Sequence, residues 1–462
     1  MGLLEAFDTR VAHVRCSLRT MLGLDGTGTE VVFSPSGTDS QLHAIYFARL
    51  TLGGPLSSIV VGADQTGSGT SHTAQARHFA SCTARGKAVL KGSALAGWPG
   101  HVAKIDIPFA DTTGQVRSGE NMDRIVLDAV AAEVARGRSV VLQAMSASKF
   151  GRRAPSDACL REIAARWPTK VQVVIDACQF RLGRARIAKY LEQNFLVLLT
   201  GSKFFAGPPF CGALLVPKHL SEWLASQSRL PPGLFDYADR SDLPLHWNAL
   251  RSGLALQPNF GQWLRWEAAL EEMSCYYALP QSYRTAVLCG LAEAIPKIIA
   301  SSGCLKYWPL PANPDSGNAA DDEFASPTIF PFLVRDAAGY LDTDDATEIY
   351  RSLNRDVSSQ LHSGAPLGDR VLAARPCHLG QPVALTLPDI GPAAALRIAI
   401  GARSLLESWS SGPDAVGRSI EIIMADVSIA IRKIELLMNL RAQNLAVANR
   451  INASTTETSH GA

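Results

Sequence analysis

The chain has 462 residues, 47% of them hydrophobic and 19% charged, with 44 basic against 42 acidic side chains. That much apolar surface excludes a disordered body, and the balanced charge, with no basic run, excludes nucleic acid as the main partner. No apolar run approaches the ~18 residues of a membrane span, so no membrane partner is expected. The first residues lack the basic start and apolar core of an export signal. Nine cysteines, an odd number with no C-x-x-C spacing, read as reduced thiols of a cytoplasmic protein and give no metal site.

Residues 1–29 read as an amphipathic helical arm. From residue 30, short β-branched runs alternate with amphipathic stretches. Strands are predicted over 30–34, 58–61, 139–143, 171–176, 196–200 and 212–216. Helices are predicted over 37–50, 73–84, 121–136 and 155–167. Strands alternating with helices imply an α/β domain with a mainly parallel sheet. In such sheets the ligand lies at the carboxyl ends of the strands, so polar residues there are the candidates for function.

This large domain is drawn over 30–275. Beyond it, residues 276–451 read as a smaller C-terminal α+β domain, and 452–462 as a flexible tail. Helices are predicted over 263–277 and 283–300, an exposed loop over 313–324, strands over 328–334, 382–387 and 395–401, and helices over 343–357, 403–409 and 419–448. No internal repeat is present.

The chemistry concentrates in two strand ends. VQVVIDACQ ends on Asp176, and LVLLTGSKFF carries Thr200, Ser202 and Lys203. A lysine able to form an imine, a carboxylate able to keep a pyridine nitrogen protonated, and hydroxyls for a phosphate are what pyridoxal 5'-phosphate requires. Upstream, VVFSPSGTDSQL places Ser36, Gly37, Thr38 and Asp39 between a strand and a helix. A helix start with free amides is an anion cradle. Taken singly, Asp176 also reads as a helix cap and Ser36–Gly37 as an ordinary N-cap.

With these motifs in hand, the chain resembles fold-type I pyridoxal phosphate enzymes, in particular the class V aminotransferase and cysteine desulfurase group. The resemblance runs from about residue 30 to 404. It implies an aspartate aminotransferase-like fold and pyridoxal 5'-phosphate as cofactor. It assigns Lys203 to the Schiff base and Asp176 to the ring nitrogen as the catalytic pair. Gln179 falls to the ring hydroxyl side, and Gly37, Thr38, Thr200 and Ser202 to the phosphate. Ser148, in MSASKFG, stands where the group contacts the ring hydroxyl side. Arg397, in ALRIAIGARS, stands where it pairs the substrate α-carboxylate; otherwise it is a strand-surface arginine paired with an acid. Cys377, in the Pro- and Gly-rich RPCHLGQP, stands where desulfurases carry a sulfur-accepting loop cysteine; otherwise it is a loop thiol without chemistry.

Two positions depart from the group. Desulfurases carry a histidine directly before the lysine, where this chain has Ser202. They also stack a histidine on the ring, where this chain has Gln65–Thr66, with His72 further on. The expected function is therefore transformation of a small-molecule L-amino acid through aldimine and quinonoid intermediates, with transamination foremost. A C–S lyase or desulfurase using Cys377 stays open, as does a non-catalytic pyridoxal phosphate-binding protein. The resemblance also implies a homodimer in which residues 251–261, with Ser252 and Asn259, reach toward the partner's cofactor.

Overall fold

The computed structural model describes residues 2–227, 230–309, 311 and 322–458, with side chains described as far as residue 444. Strands β1 (Glu30–Ser34), β2 (Leu56–Val61), β3 (Val102–Ile107), β4 (Ser139–Met145), β5 (Val171–Ala177), β6 (Leu196–Thr200) and β7 (Gly212–Val216) form one sheet in the order β1-β7-β6-β5-β4-β2-β3. The pairs β2–β3, β2–β4, β4–β5 and β5–β6 are parallel. β7 runs antiparallel to both β1 and β6. The reversed β7 therefore starts where β6 ends, at the edge where an α/β sheet gathers its ligand.

The strands read as unbroken apolar runs because both faces are covered. Val31, Phe33, Leu142, Val173, Ile175, Val197 and Leu199 enter one core, and their alternating neighbours Val32, Val141, Val174, Leu196 and Leu198 enter the other. The helix Gly37–Leu52 packs on the second face through Leu42, Ile45 and Phe47. Helices Gly119–Ala135, Asp157–Arg166, Arg184–Glu192 and Phe260–Ala278 cover the first.

A second sheet, β8 (Leu305–Tyr307), β9 (Ile329–Val334), β10 (Gly380–Leu387) and β11 (Gly391–Ala399), is wholly antiparallel in the order β10-β11-β9-β8. Phe330, Phe332, Leu396 and Ile398 turn to the main core. Leu333, Ala393 and Ala395 turn the other way, against Phe150 in the loop after β4. This two-residue alternation sends Arg397 toward that same loop.

Several predicted elements differ. β3 is absent from the prediction because it is an edge strand carrying Lys104 and Asp106, which pair with each other at 2.5 Å. Residues 73–84 are not a helix. One turn, Thr70–Thr73, gives way to Ala76 at φ 53, and the chain then pairs back, with the His78 amide donating to Ser93 O. The helices Arg184–Glu192, Lys218–Ala225 and Leu367–Ala374 and the short β8 are further additions. The last helix runs Ala415–Thr458, through residues 452–458 that read as tail; residues 459–462, like most of the loop predicted over 313–324, lie outside the described residues. Among the described residues no helix is long and apolar enough to cross a membrane.

The arm is the helix Leu3–Met21, fixed by a buried guanidinium. Arg15 donates to Val31 O at 2.7 Å and to the carbonyls of Ser241 and Asp242, and Arg251 pairs with Asp8. Burial pushes the Asp242 carboxyl up to about 7 from its ordinary 3.8, although the Asp239 amide donates to it. A carboxyl raised on folding adds stability below its unfolded pKa and loses it as pH climbs through the folded one. Asp242→Asn stays neutral throughout. Between about pH 4 and about pH 8 the unfolding free energy of the variant should therefore gain roughly 2–4 kcal/mol on the parent, read by denaturant melts at each pH.

Candidate active site

A cavity of about 320 Å³ opens at the carboxyl ends of β4, β5 and β6, between the large sheet and β10–β11. Its walls include Gly37, Thr38, Asp176, Gln179, Thr200, Ser202, Lys203 and Arg397. Residues separated by up to 360 positions are thus gathered by topology.

Asp176 lies at the end of β5, in register with Met145 of β4 and Leu198 of β6. Its Oδ1 accepts from the Cys178 amide at 3.1 Å, which holds the carboxylate at the strand end. Thr200 Oγ1 donates to Cys178 O at 2.7 Å, locking the ends of β5 and β6 together. Lys203 follows in a tight loop. The Gly201 amide donates to Cys211 O, and the Gly207 amide to Gly201 O, both at 3.0 Å. Side chains at Gly201 and Gly207 would run into Ala269 of the Phe260–Ala278 helix, so the loop sits flat on that helix. Phe204 and Phe205 are fully buried beside the exposed Lys203. The aromatic pair anchors the backbone and leaves the amine toward the cavity that it lines.

The opposite wall is the start of the Gly37–Leu52 helix. Ser36 is its N-cap, with Oγ accepting from the Asp39 amide at 3.2 Å and donating to the Asp39 carboxylate. Burial pushes the Asp39 carboxyl up to about 6. Gly37 packs on Cys178, where any Cβ would overlap the thiol, and with Thr38 it forms part of the cavity wall. Thr38 stands beside Gly67 and Gly69 of the loop after β2.

Arg397 is half-buried in β11. It pairs with no acid among the described residues. Nη1 donates to Lys149 O at 2.8 Å and Nη2 to Gln381 O at 3.1 Å, while the buried Nε has no partner. Burial lowers its pKa. The guanidinium thus lines the cavity with only backbone carbonyls as its hydrogen-bond partners among the described residues.

Two expected residues do not line this cavity. Ser148 is fully buried, its hydroxyl donating to Gln65 Oε1 at 2.6 Å and accepting from the Phe150 and Arg152 amides. Cys377 is buried in a separate groove with His378, Glu407 and Asp426. Its amide donates to Leu353 O, and burial pushes its thiol up. His72 packs near Gly92 rather than on the cavity wall. Of the 251–261 segment, Arg251 is taken by Asp8 and Leu243 O, and Asn259 caps the Phe260–Ala278 helix.

Several wall residues escaped the sequence reading: Gln41, Lys149, Cys178, Phe210, Cys211 and Gln381. Phe210 and Cys211 arrive because β7 is reversed. Gln381 arrives because a register shift in β10 between Gly380 and Val383 turns its backbone to Arg397. Burial pushes the Cys178 thiol well up and the Cys211 thiol to about 11, so both stay protonated.

The Gly37–Cys178 contact can be tested directly. Gly37→Ala should cost about 1–3 kcal/mol of stability in a denaturant melt, as overpacking does. Adding Cys178→Ala removes the overlapping sulfur, and the double variant should recover most of that loss.

No protein-family model matches the chain, and no curated protein matches it. Solved structures do. The chain is similar to Oryza sativa TDC crystallised with PLP and tryptamine, at 15% identity over 92% of this chain and 76% of that one, with a TM-score of 0.46. It is similar to Sphingomonas wittichii serine palmitoyltransferase at 12% identity over 93% and 77% of the two chains, with a TM-score of 0.47. The Escherichia coli cysteine desulfurase CsdA matches at 14% identity over 92% and 85%, with a TM-score of 0.46.

Proposed function

We propose that the chain is a pyridoxal phosphate-dependent enzyme acting at the α-carbon of a small L-amino acid, with transamination as its reaction. The observation that carries this reading is one cavity lined by Asp176, Lys203 and an Arg397 that meets no acid among the described residues, with the helix start at Gly37 on its wall. These residues fit the cofactor. Asp176 would meet the ring nitrogen and Lys203 would carry the carbonyl carbon. The amides at Gly37 and Thr38, with Ser202, would hold the phosphate. Thr200 supports that end through its bond to Cys178 O. When bound, the cofactor supplies an electron sink for the carbanion that forms when a bond at the α-carbon breaks.

The rest falls to the chain. Arg397 would hold the α-carboxylate in two parallel hydrogen bonds and so set which α-bond stands in the reacting direction. Lys203, on a loop pinned by Phe204 and Phe205, would move the α-proton. The desulfurase alternative needs a thiolate. Cys178 and Cys211 are held as thiols by burial, and Cys377 lines another groove. Ser202 before Lys203 likewise favours transamination over sulfur transfer.

The chain is further proposed to act as a homodimer in the cytoplasm. Beside the cavity mouth Phe210 is 60% exposed, and on the neighbouring helix Leu264 is 56% and Phe260 45% exposed. Arg265 reaches over the Phe210 ring at 5.9 Å, and Phe260 meets Phe7 of the arm at 5.0 Å. Large apolar side chains exposed in this way favour a reading in which an assembly covers them.

Two measurements test these readings. Purified protein supplied with pyridoxal phosphate should show the visible absorption of lysine-bound cofactor, and borohydride reduction followed by peptide mass mapping should find the label on Lys203. Lys203→Ala should lose both signals and drop turnover at least 10³-fold; an unchanged spectrum, or a label on Lys149, would refute the assignment. Sedimentation at micromolar concentration should give twice 49.4 kDa; a single species at 49.4 kDa would rule out the dimer.

A further inference from the structure

The functional reading uses Lys203, Asp176 and Arg397 and leaves one charged group on the cavity wall without a task. Lys149 follows β4, where Met145, Ala147 and Lys149 line the cavity in turn. Its ammonium has no hydrogen bond or ion pair among the described residues. Asp64, the acid whose charge reaches it, accepts from the Phe109 amide instead.

The position of Lys149 is fixed. Ser148 Oγ accepts from the Phe150 and Arg152 amides, the Gly151 amide donates to Ser148 O at 2.9 Å, and Gly151 turns the chain at φ 86. Arg397 Nη1 then clamps Lys149 O at 2.8 Å. The lysine is therefore held next to the guanidinium by the backbone, with only its side chain left to move.

We propose that Lys149 binds a second anionic group on the substrate, so that the enzyme selects amino acids with an acidic side chain. This deepens the reading above and rests on it. The cavity wall carries three cations, Lys149, Lys203 and Arg397, against the single carboxylate Asp176. An α-carboxylate on Arg397 and a ring nitrogen on Asp176 would still leave Lys149 uncompensated. Burial and the charges of Arg397 and Lys203 lower the Lys149 pKa, a repulsion that an added anion relieves. The cofactor phosphate is a poorer occupant. Its cradle at Gly37 packs on Cys178 and Thr200, whereas Lys149 packs at Arg397, the α-carboxylate end.

The test uses two chain-matched probes, glutarate and pentanoate, which differ in one carboxylate. Each is titrated calorimetrically into cofactor-loaded protein, while the visible band of the same sample reports cofactor occupancy. Wild type should bind glutarate about tenfold more tightly than pentanoate, the worth of one charge-assisted contact. Lys149→Gln should erase that preference, leave pentanoate affinity within about twofold and keep the cofactor band; Lys149→Arg should retain the preference. Equal affinity for the two probes in wild type would overturn the proposal, as would an equal loss for both in Lys149→Gln or a lost cofactor band in that variant. Should wild type show no cofactor band, the functional reading fails by itself. A glutarate preference that vanishes in Lys149→Gln would even then support the second anion site.

Discussion

The cavity depends on a close approach of backbone to backbone at the reversed strand. β7 lies between β1 and β6, and its first residue, Gly212, packs so tightly on the Ser36 peptide that a Cβ would stand 2.5 Å from Ser36 C. One residue on, Gly37 leaves no room for a side chain against Cys178. These two contacts set how near the helix start comes to the ends of β5 and β6. They bring a positive helix terminus, a carboxylate and an amine into one volume. A larger residue at either glycine would separate groups whose use depends on their being together.

Charge is handled differently at the cavity and elsewhere. Away from it, arginines find carboxylates or carbonyls: buried Arg284 meets Glu323 at 2.8 Å, half-buried Arg186 meets Asp322 at 3.2 Å, and buried Arg15 is surrounded by carbonyls. At the cavity, Arg397 and Lys149 meet no acid among the described residues. A desolvated cation without a carboxylate beside it costs stability in the free protein. The fold tolerates that cost because the strands beneath are covered on both faces by large apolar cores. On the proposed reading, a bound anion would offset that cost.

Much of this was legible in the sequence because strand ends announce themselves. Asp176 and Lys203 each follow an apolar run whose alternation supplies two cores, and a polar residue closing such a run has few places to go but the sheet's carboxyl edge. Gly37 was legible as a helix start, although its true constraint, the Cys178 thiol, is set by a partner 141 positions away. Lys149 was not legible: nothing local in MSASKFG singles it out, and only the Arg397 bond to its carbonyl gives it a place. Gln381 depended on a register shift, which no local pattern encodes. Ser148 and Cys377 stood at motif positions, yet local hydrogen bonds and burial gave them other neighbours. Charged edge strands such as β3, and compact turns such as residues 73–84, obey tertiary contacts more than periodicity.

The Arg397 guanidinium also has a mechanical meaning. Its bond to Lys149 O crosses from the antiparallel sheet to the loop after β4. Two other bonds cross nearby: Arg181 Nη1 donates to Ile400 O at 2.8 Å, and the Ala402 amide donates to Phe204 O at 2.7 Å. The last of these seizes the residue directly after Lys203. The two sheets are thus latched together beside Lys203 and at Arg397 itself. Any hinge rotation of one sheet against the other would have to break these bonds, the one beside Lys203 included. Held in this way, the cavity keeps its two walls at a fixed spacing, and the largest exposed side chain on them is Phe210.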